Sequence, residues 1–308
     1  MTSQVLTSTA ENKATYRRFV EEVINEGRSD VVDELFSPAY VDHNRPPGAP
    51  EGLDGVRAIP KMFRGAFPDV HFTIEQMVAE GDLVATLVTG RGTHQGPFMG
   101  IAPTGRQATW ASMGFFRVAG GRIVEHWGSP DLLTLLIQLG AIPAPGGGQP
   151  AGPPTEPAVA PARPPGAKVD PEEGKRILRH HVEDVFNRHD LSELDDWLAP
   201  GYIYRAMGME IRGLDGYKST VEPLFVAFPD VRNTIEQLIA EDDLVATRWR
   251  ARGTHLGPFM GIQPTGKPVE LTGMTIERIA GGKRLEGWGV PDMLTLMGQI
   301  GVGPAARS

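Results

Sequence analysis

Two aspartates stand at matching places in the chain, Asp131 in WGSPDLLTLL and Asp292 in WGVPDMLTLM. Each follows a proline and opens an apolar run, so each is placed to cap a helix N-terminus. A carboxylate at such a point has a second use. It can take a proton from a carbon beside a carbonyl, provided that burial lifts its pKa toward the working pH. Trp110 and Trp127 are the apolar groups that could wall Asp131 in. Histidines are the other candidate site groups: His43 in YVDHNRP, His94 and His255 closing two copies of RGTH, and His126 in VEHWG. No HxH or HxxxH spacing occurs around His43, His94 or His126, so they do not read as a metal site.

These residues recur because the chain is duplicated. AFPDV at 66–70 returns at 227–231, RGTH at 91–94 returns at 252–255, and GPFMGI at 96–101 returns at 257–262, always 161 positions on. The 308 residues therefore suit two domains. Between the copies lies a Pro, Gly and Ala-rich stretch that cannot form a core. The expected organisation is a first domain at 1–143, a linker at 144–169 and a second domain at 170–308. The net charge of −8 and the lack of basic runs argue against nucleic acid. No apolar stretch is long enough to cross a bilayer, and the first residues do not read as a signal peptide. With no cysteine, disulfides and thiolate chemistry are excluded. The default expectation is a cytoplasmic protein.

The elements that must position these groups are legible from periodicity. Ser8 and Glu11 form a capping box before a helix whose apolar face carries Tyr16, Phe19, Val20 and Val23. Asp170 and Pro171 open the matching helix of the second copy. A short helix and a longer one follow, and after FPD the period changes to two, giving antiparallel hairpins. The expected fold class is α+β: two cone-shaped units in tandem, each with helices packed on a curved antiparallel sheet around one apolar pocket. If Gly120-Gly121 makes a two-residue turn and no bulge intervenes, Trp110, Ser112, Trp127, Ser129 and Asp131 share one face. His126 then lies on the opposite face, with Phe115, and is read as a packed histidine. His43 and Asn44 are candidate substrate contacts near the mouth, with Tyr16 and Phe19 from the first helix. His94 and His255 either donate to a substrate carbonyl or hold the adjacent glycine-rich loop. Trp288 repeats Trp127 in the second copy.

The order of motifs, with GTHxGPFMGIxPTG and GGRIVEHWGSPDLLTLLIQLG, resembles a SnoaL-like polyketide cyclase domain of the NTF2-like superfold. The resemblance covers both copies and leaves out the linker. It implies ring closure by intramolecular aldol chemistry without a cofactor, on a hydrophobic carbonyl compound. It also implies that the aspartate at the WxxxD spacing is the acid/base, which here is Asp131 and Asp292. Domains of this kind pair through their sheets, so the fusion implies an intramolecular pair and leaves homo-oligomers open. The first copy is the expected active unit, because Leu271 replaces Trp110 and Val290 replaces Ser129 in the second. Two rival readings are a non-catalytic small-molecule binder and an epoxide hydrolase of the same superfold. The latter needs an Asp–Arg–Asp relay, for which Arg117 and Arg278 are the repeated arginines.

Overall fold

The computed structural model describes residues 7–45, 48–143 and 170–301, so the expected linker lies outside the described residues. The chain divides into two compact units, Met1–Pro130 and Asp131–Ser308. The closing helix of the first copy therefore belongs with the second unit, where Leu133 packs against Phe228, Phe259 and Leu296.

In the first unit, α1 (Thr9–Arg18) begins with the expected capping box. Ser8 Oγ accepts from Glu11 N, and the Glu11 carboxylate accepts from Ser8 N. The helix widens into a π-helical stretch at Phe19–Asn25. Then come α2 (Val32–Leu35), β1 (Phe36–Asp42), α3 (Gly52–Ala66), β2 (His71–Glu80), β3 (Leu83–Thr93), β4 (Gln107–Ala119) and β5 (Arg122–Pro130). The sheet order is β1-β5-β4-β3-β2. Here the structure corrects one expectation. The sheet is mixed, because β1 pairs parallel with β5. A strand that pairs across more than eighty residues leaves no local signal of its partner.

The second unit opens with α4 (Leu132–Leu139) and continues with α5 (Pro171–His180), capped by Asp170, and a π-helical stretch at His181–Asn187. It then has α6 (Leu194–Trp197), β6 (Leu198–Ala206), β7 (Met209–Arg212), α7 (Gly213–Ala227), β8 (Arg232–Glu241), β9 (Leu244–Thr254), β10 (Pro268–Ala280), β11 (Lys283–Pro291) and α8 (Met293–Ile300). Its sheet runs β7-β6-β11-β10-β9-β8, with β11 parallel to β6. Among the described residues no helix is long and apolar enough to cross a membrane.

The motifs that repeat word for word prove to be fasteners. Asp69 of AFPDV accepts from Thr93 N at 2.6 Å and from Thr93 Oγ1 at 2.7 Å, and Asp230 does the same with Thr254. His94 is fully buried, and its Nδ1 accepts from Thr104 N at 3.3 Å, which ties down the loop that follows. His255 and Thr265 repeat the contact. The glycine after each RGTH has no room for a side chain. A Cβ on Gly96 would lie 1.8 Å from Gly65 O, and one on Gly257 would lie 2.1 Å from Val226 O. Gly96→Ala and Gly257→Ala should each lower stability by about 2 kcal/mol or more, read by urea unfolding, because backbone must move. Gly65→Ala, which meets nothing within 4 Å inside α3, should be neutral or stabilising.

Candidate functional site

Which side chains face the helices is decided by a bulge in each closing hairpin. Ala119 pairs with Arg122 and Val118 with Ile123, but Arg117 pairs with Glu125, so Val124 is an extra residue. Beyond it Phe116 pairs with His126, and Met113 pairs with Ser129. The expected five-residue face therefore splits. Trp110, Ser112 and His126 lie on the helix-covered face, and Trp127 and Ser129 lie on the other. The ladder ends at Ser112 and Pro130, so Asp131 has no partner opposite Trp110.

On the helix-covered face of the first unit His126 stacks on Phe116 at 4.4 Å, and Tyr16 and Phe19 close over the same ring at 4.7 and 6.3 Å. His126 Nδ1 lies 3.4 Å from Asp42 Oδ1. Burial pushes the Asp42 carboxyl up, but His126 and the Asn44 N–H outweigh it and hold it below the usual range. Trp110 is enclosed by Phe63, Phe67 and Phe72. On the opposite face His43 stacks flat on Trp127 at 4.5 Å, and its Nε2 lies 2.9 Å from Glu125. Asn44 Oδ1 accepts from Gly128 N. The sequence-derived substrate contacts thus fall on two faces. Tyr16, Phe19, Trp110 and Ser112 are on the helix-covered side, the first two around Phe116 and Trp110 among Phe63, Phe67 and Phe72, while His43, Trp127 and Ser129 are on the other.

Arg117 donates to Asp82 at 2.6 Å and to Glu125 at 3.0 Å, and does not approach Asp131. Arg278 repeats this between Asp243 and Glu286. Both arginines clamp the bulge. Asp131 is 4 % exposed and caps α4, accepting from Thr134 N at 3.1 Å. Burial raises its carboxyl pKa, opposed by Thr134. Asp292 caps α8 through Thr295 N and is only half-buried.

The second unit encloses a cavity of about 600 Å³. Its wall is largely apolar, with Leu224, Phe228, Trp249, Leu271 and Met293 from the unit's body and Leu133 and Ile137 from α4. Asp131, Asp292 and Trp288 are not part of it; the nearest wall residues to Asp131 along the chain are Leu133 and Thr134. Trp288 pairs with Ile276 on the far face, beneath the Arg205 guanidinium. One region of the wall is polar. The Arg284 and Glu277 side chains are each 1 % exposed and form a two-point ion pair, Nη2 to Oε1 at 2.6 Å and Nε to Oε2 at 3.2 Å. Tyr202 Oη joins them, donating to Glu277 at 3.1 Å and accepting from Arg284 at 2.9 Å. Burial pushes the Glu277 carboxyl up, while Arg284 and Tyr202 pull it back. His181 Nε2 lies 3.3 Å from Tyr217 Oη, and burial, reinforced by Arg284, holds the imidazole pKa well below its usual value.

Sequence reasoning passed over this cluster because it favoured the first copy. The signal was nevertheless present. At the 161-residue offset Glu277 and Arg284 replace Phe116 and Ile123, and Tyr217 replaces Val56. His181 opens its π-helical stretch where Phe19 opens the other.

The model of the SnoaL-like polyketide cyclase family matches residues 14–139 and 176–300. The chain belongs to that family. Among relatives of this SnoaL-like protein, nogalonic acid methyl ester cyclase of Streptomyces nogalater is 30 % identical over 125 residues, 38 % of this chain and 88 % of the relative. Aklanonic acid methyl ester cyclase DauD of Streptomyces sp. (strain C5) is 28 % identical over 144 residues, 45 % of this chain and 88 % of the relative. The solved structure of TsrD from Streptomyces laurentii is 29 % identical, covering 44 % of this chain and 99 % of TsrD, with a TM-score of 0.41. Among the described residues, no group of three or more His, Cys, Asp or Glu is arranged to hold a metal ion.

The buried imidazole has a consequence for stability. Below pH 6.5 the unfolded chain protonates His181 and the folded SnoaL-like unit does not, so this residue makes stability fall as pH falls. The slope approaches about 1.4 kcal/mol per pH unit. His181→Phe, the first copy's residue, should flatten the loss between pH 7 and 5, measured by urea unfolding at each pH.

Proposed function

We propose that this protein is a cofactor-independent, polyketide cyclase-like enzyme that moves protons at carbon in a hydrophobic carbonyl compound. The cavity of the second unit carries this reading. It is apolar, of a size suited to a multi-ring molecule, and polar in one region of its wall. The names of the curated relatives, cyclases of nogalonic and aklanonic acid methyl esters, point to a carbonyl compound of the same kind, a methyl ester. The chemistry is redox-neutral. A base takes a proton from the carbon beside one carbonyl, that carbon bonds to a second carbonyl carbon, and the new alkoxide is protonated. It therefore asks only for a proton carrier held at a suitable pKa.

Asp131 is the proposed carrier, with Asp292 its counterpart. Burial favours the protonated form of Asp131 and raises its pKa, the direction that the role asks for. The same carboxylate caps α4, and the two roles separate under substitution. Asn caps a helix as well as Asp does but cannot carry the proton. With nogalonic acid methyl ester as the first substrate tried, Asp131→Asn should lower kcat by about 100-fold or more. Its melting temperature at pH 7 should hold or rise, since the cost of burying a charge is removed. Asp292→Asn should change both less. Full turnover by Asp131→Asn would overturn the assignment. Recovery of the ligand unchanged with excess compound would favour a binding protein instead.

A further inference from the structure

Four residues that line the second unit's cavity have a buried polar atom with no hydrogen-bonding partner among the described residues: Arg284 Nη1, His181 Nδ1, Thr247 Oγ1 and, on half-buried Asn233, Oδ1. The first three residues are 1 %, 4 % and 1 % exposed. Buried polar groups are almost always satisfied, and several left open around one cavity mark a place where something is meant to bond. The rest of the Arg284 and His181 side chains is committed. Arg284 Nε and Nη2 are held by Glu277 and Tyr202, and His181 Nε2 lies against Tyr217. Arg284 Nη1 and His181 Nδ1 are therefore held in fixed places by their neighbours.

We propose that this cavity binds a hydrophobic molecule through an uncharged oxygen-bearing end, held by Arg284, His181 and Thr247. This rests on the reading of the protein as one that acts on hydrophobic carbonyl compounds, and it assigns the anchor. Guanidinium nitrogens only donate, so the group facing Arg284 Nη1 is an acceptor. Its charge is set by the neighbours. Glu277 already neutralises Arg284 inside the fold, so a ligand carboxylate would bury a second, uncompensated negative charge. A ketone or ester oxygen accepts without that cost. The first unit has Phe116 and Ile123 in place of Glu277 and Arg284, so the anchor belongs to the second copy alone.

The test is equilibrium binding to the full chain of three probes that differ at one end: 2-acetylnaphthalene, 2-ethylnaphthalene and 2-naphthoate. Tryptophan quenching reports it, with Trp249 in the cavity wall. The ketone should bind at least about 10-fold more tightly than the hydrocarbon and more tightly than the carboxylate. Thr247→Val, which keeps the shape, should cut the ketone's preference about 3-fold or more, and His181→Phe should do likewise. Glu277→Phe/Arg284→Ile installs the first copy's residues without stranding a charge. It should abolish the preference while the hydrocarbon still binds. Equal affinity for ketone and hydrocarbon, tighter binding of naphthoate, or no binding of any probe would overturn the anchor. So would a preference that survives Thr247→Val and the double variant. Asp131→Asn should leave the preference intact, so a failed acid/base assignment and a failed anchor give different results.

Discussion

The single extra residue in each closing hairpin governs the rest of the site. Val124 in β5 and Leu285 in β11 shift the register by one, and with period-two strands a shift of one exchanges faces. The bulge has its own fastening. Val118 N donates to Asp82 O and Ile279 N donates to Asp243 O, while Arg117 and Arg278 bridge the same aspartates to Glu125 and Glu286. Because of it, His126 meets Phe116 in the first unit. In the second it sets Gly287 opposite Glu277, on the side of the sheet that Glu277 shares with Arg284. A Cβ on Gly287 would stand 2.5 Å from Tyr202 Oη, so the glycine makes room for the buried cluster.

The duplication separates the residues that hold the fold from those that shape a pocket. What the copies share word for word is largely architecture: the Asp–Thr fastening, the loop-holding histidine, the glycine pressed against a helix carbonyl, the arginine clamp on the bulge. What they do not share sits under the helices. There the first unit has an aromatic cluster of Tyr16, Phe19 and Phe116 with His126 at its edge. The second has His181, Tyr217, Glu277 and Arg284 beside a cavity. A buried ion pair of this kind adds little net stability, because desolvation offsets the attraction. Its presence in one copy only is better understood as serving a ligand than as serving the fold.

Asp131 and Asp292 lie where these two classes meet. Both are helix caps with the same bond to the third residue on, which is reason enough for both copies to carry them. They differ in burial, and burial pushes the carboxyl of Asp131 upward. The epoxide hydrolase reading needed an arginine relay at this aspartate, and Arg117 is occupied elsewhere, between Asp82 and Glu125.

The sequence by itself determined the duplication, the α+β class, the capping box at Ser8, the caps at Asp170 and Asp131, and the family. All of these are written in local pattern: periodicity, turn residues and words repeated at a fixed offset. The tertiary structure alone decided three things. It paired β1 with β5 in parallel across a long separation. It set the bulges that moved His126 inward and Trp127 and Ser129 outward. It also grouped α4 with the second unit. Each depends on contacts between residues far apart in the chain, where hydrogen-bond geometry and packing, rather than neighbouring residues, select the partner. The polar cluster of the second unit falls between the two. Its residues were visible as departures from the first copy, but only folding showed that they converge on one cavity.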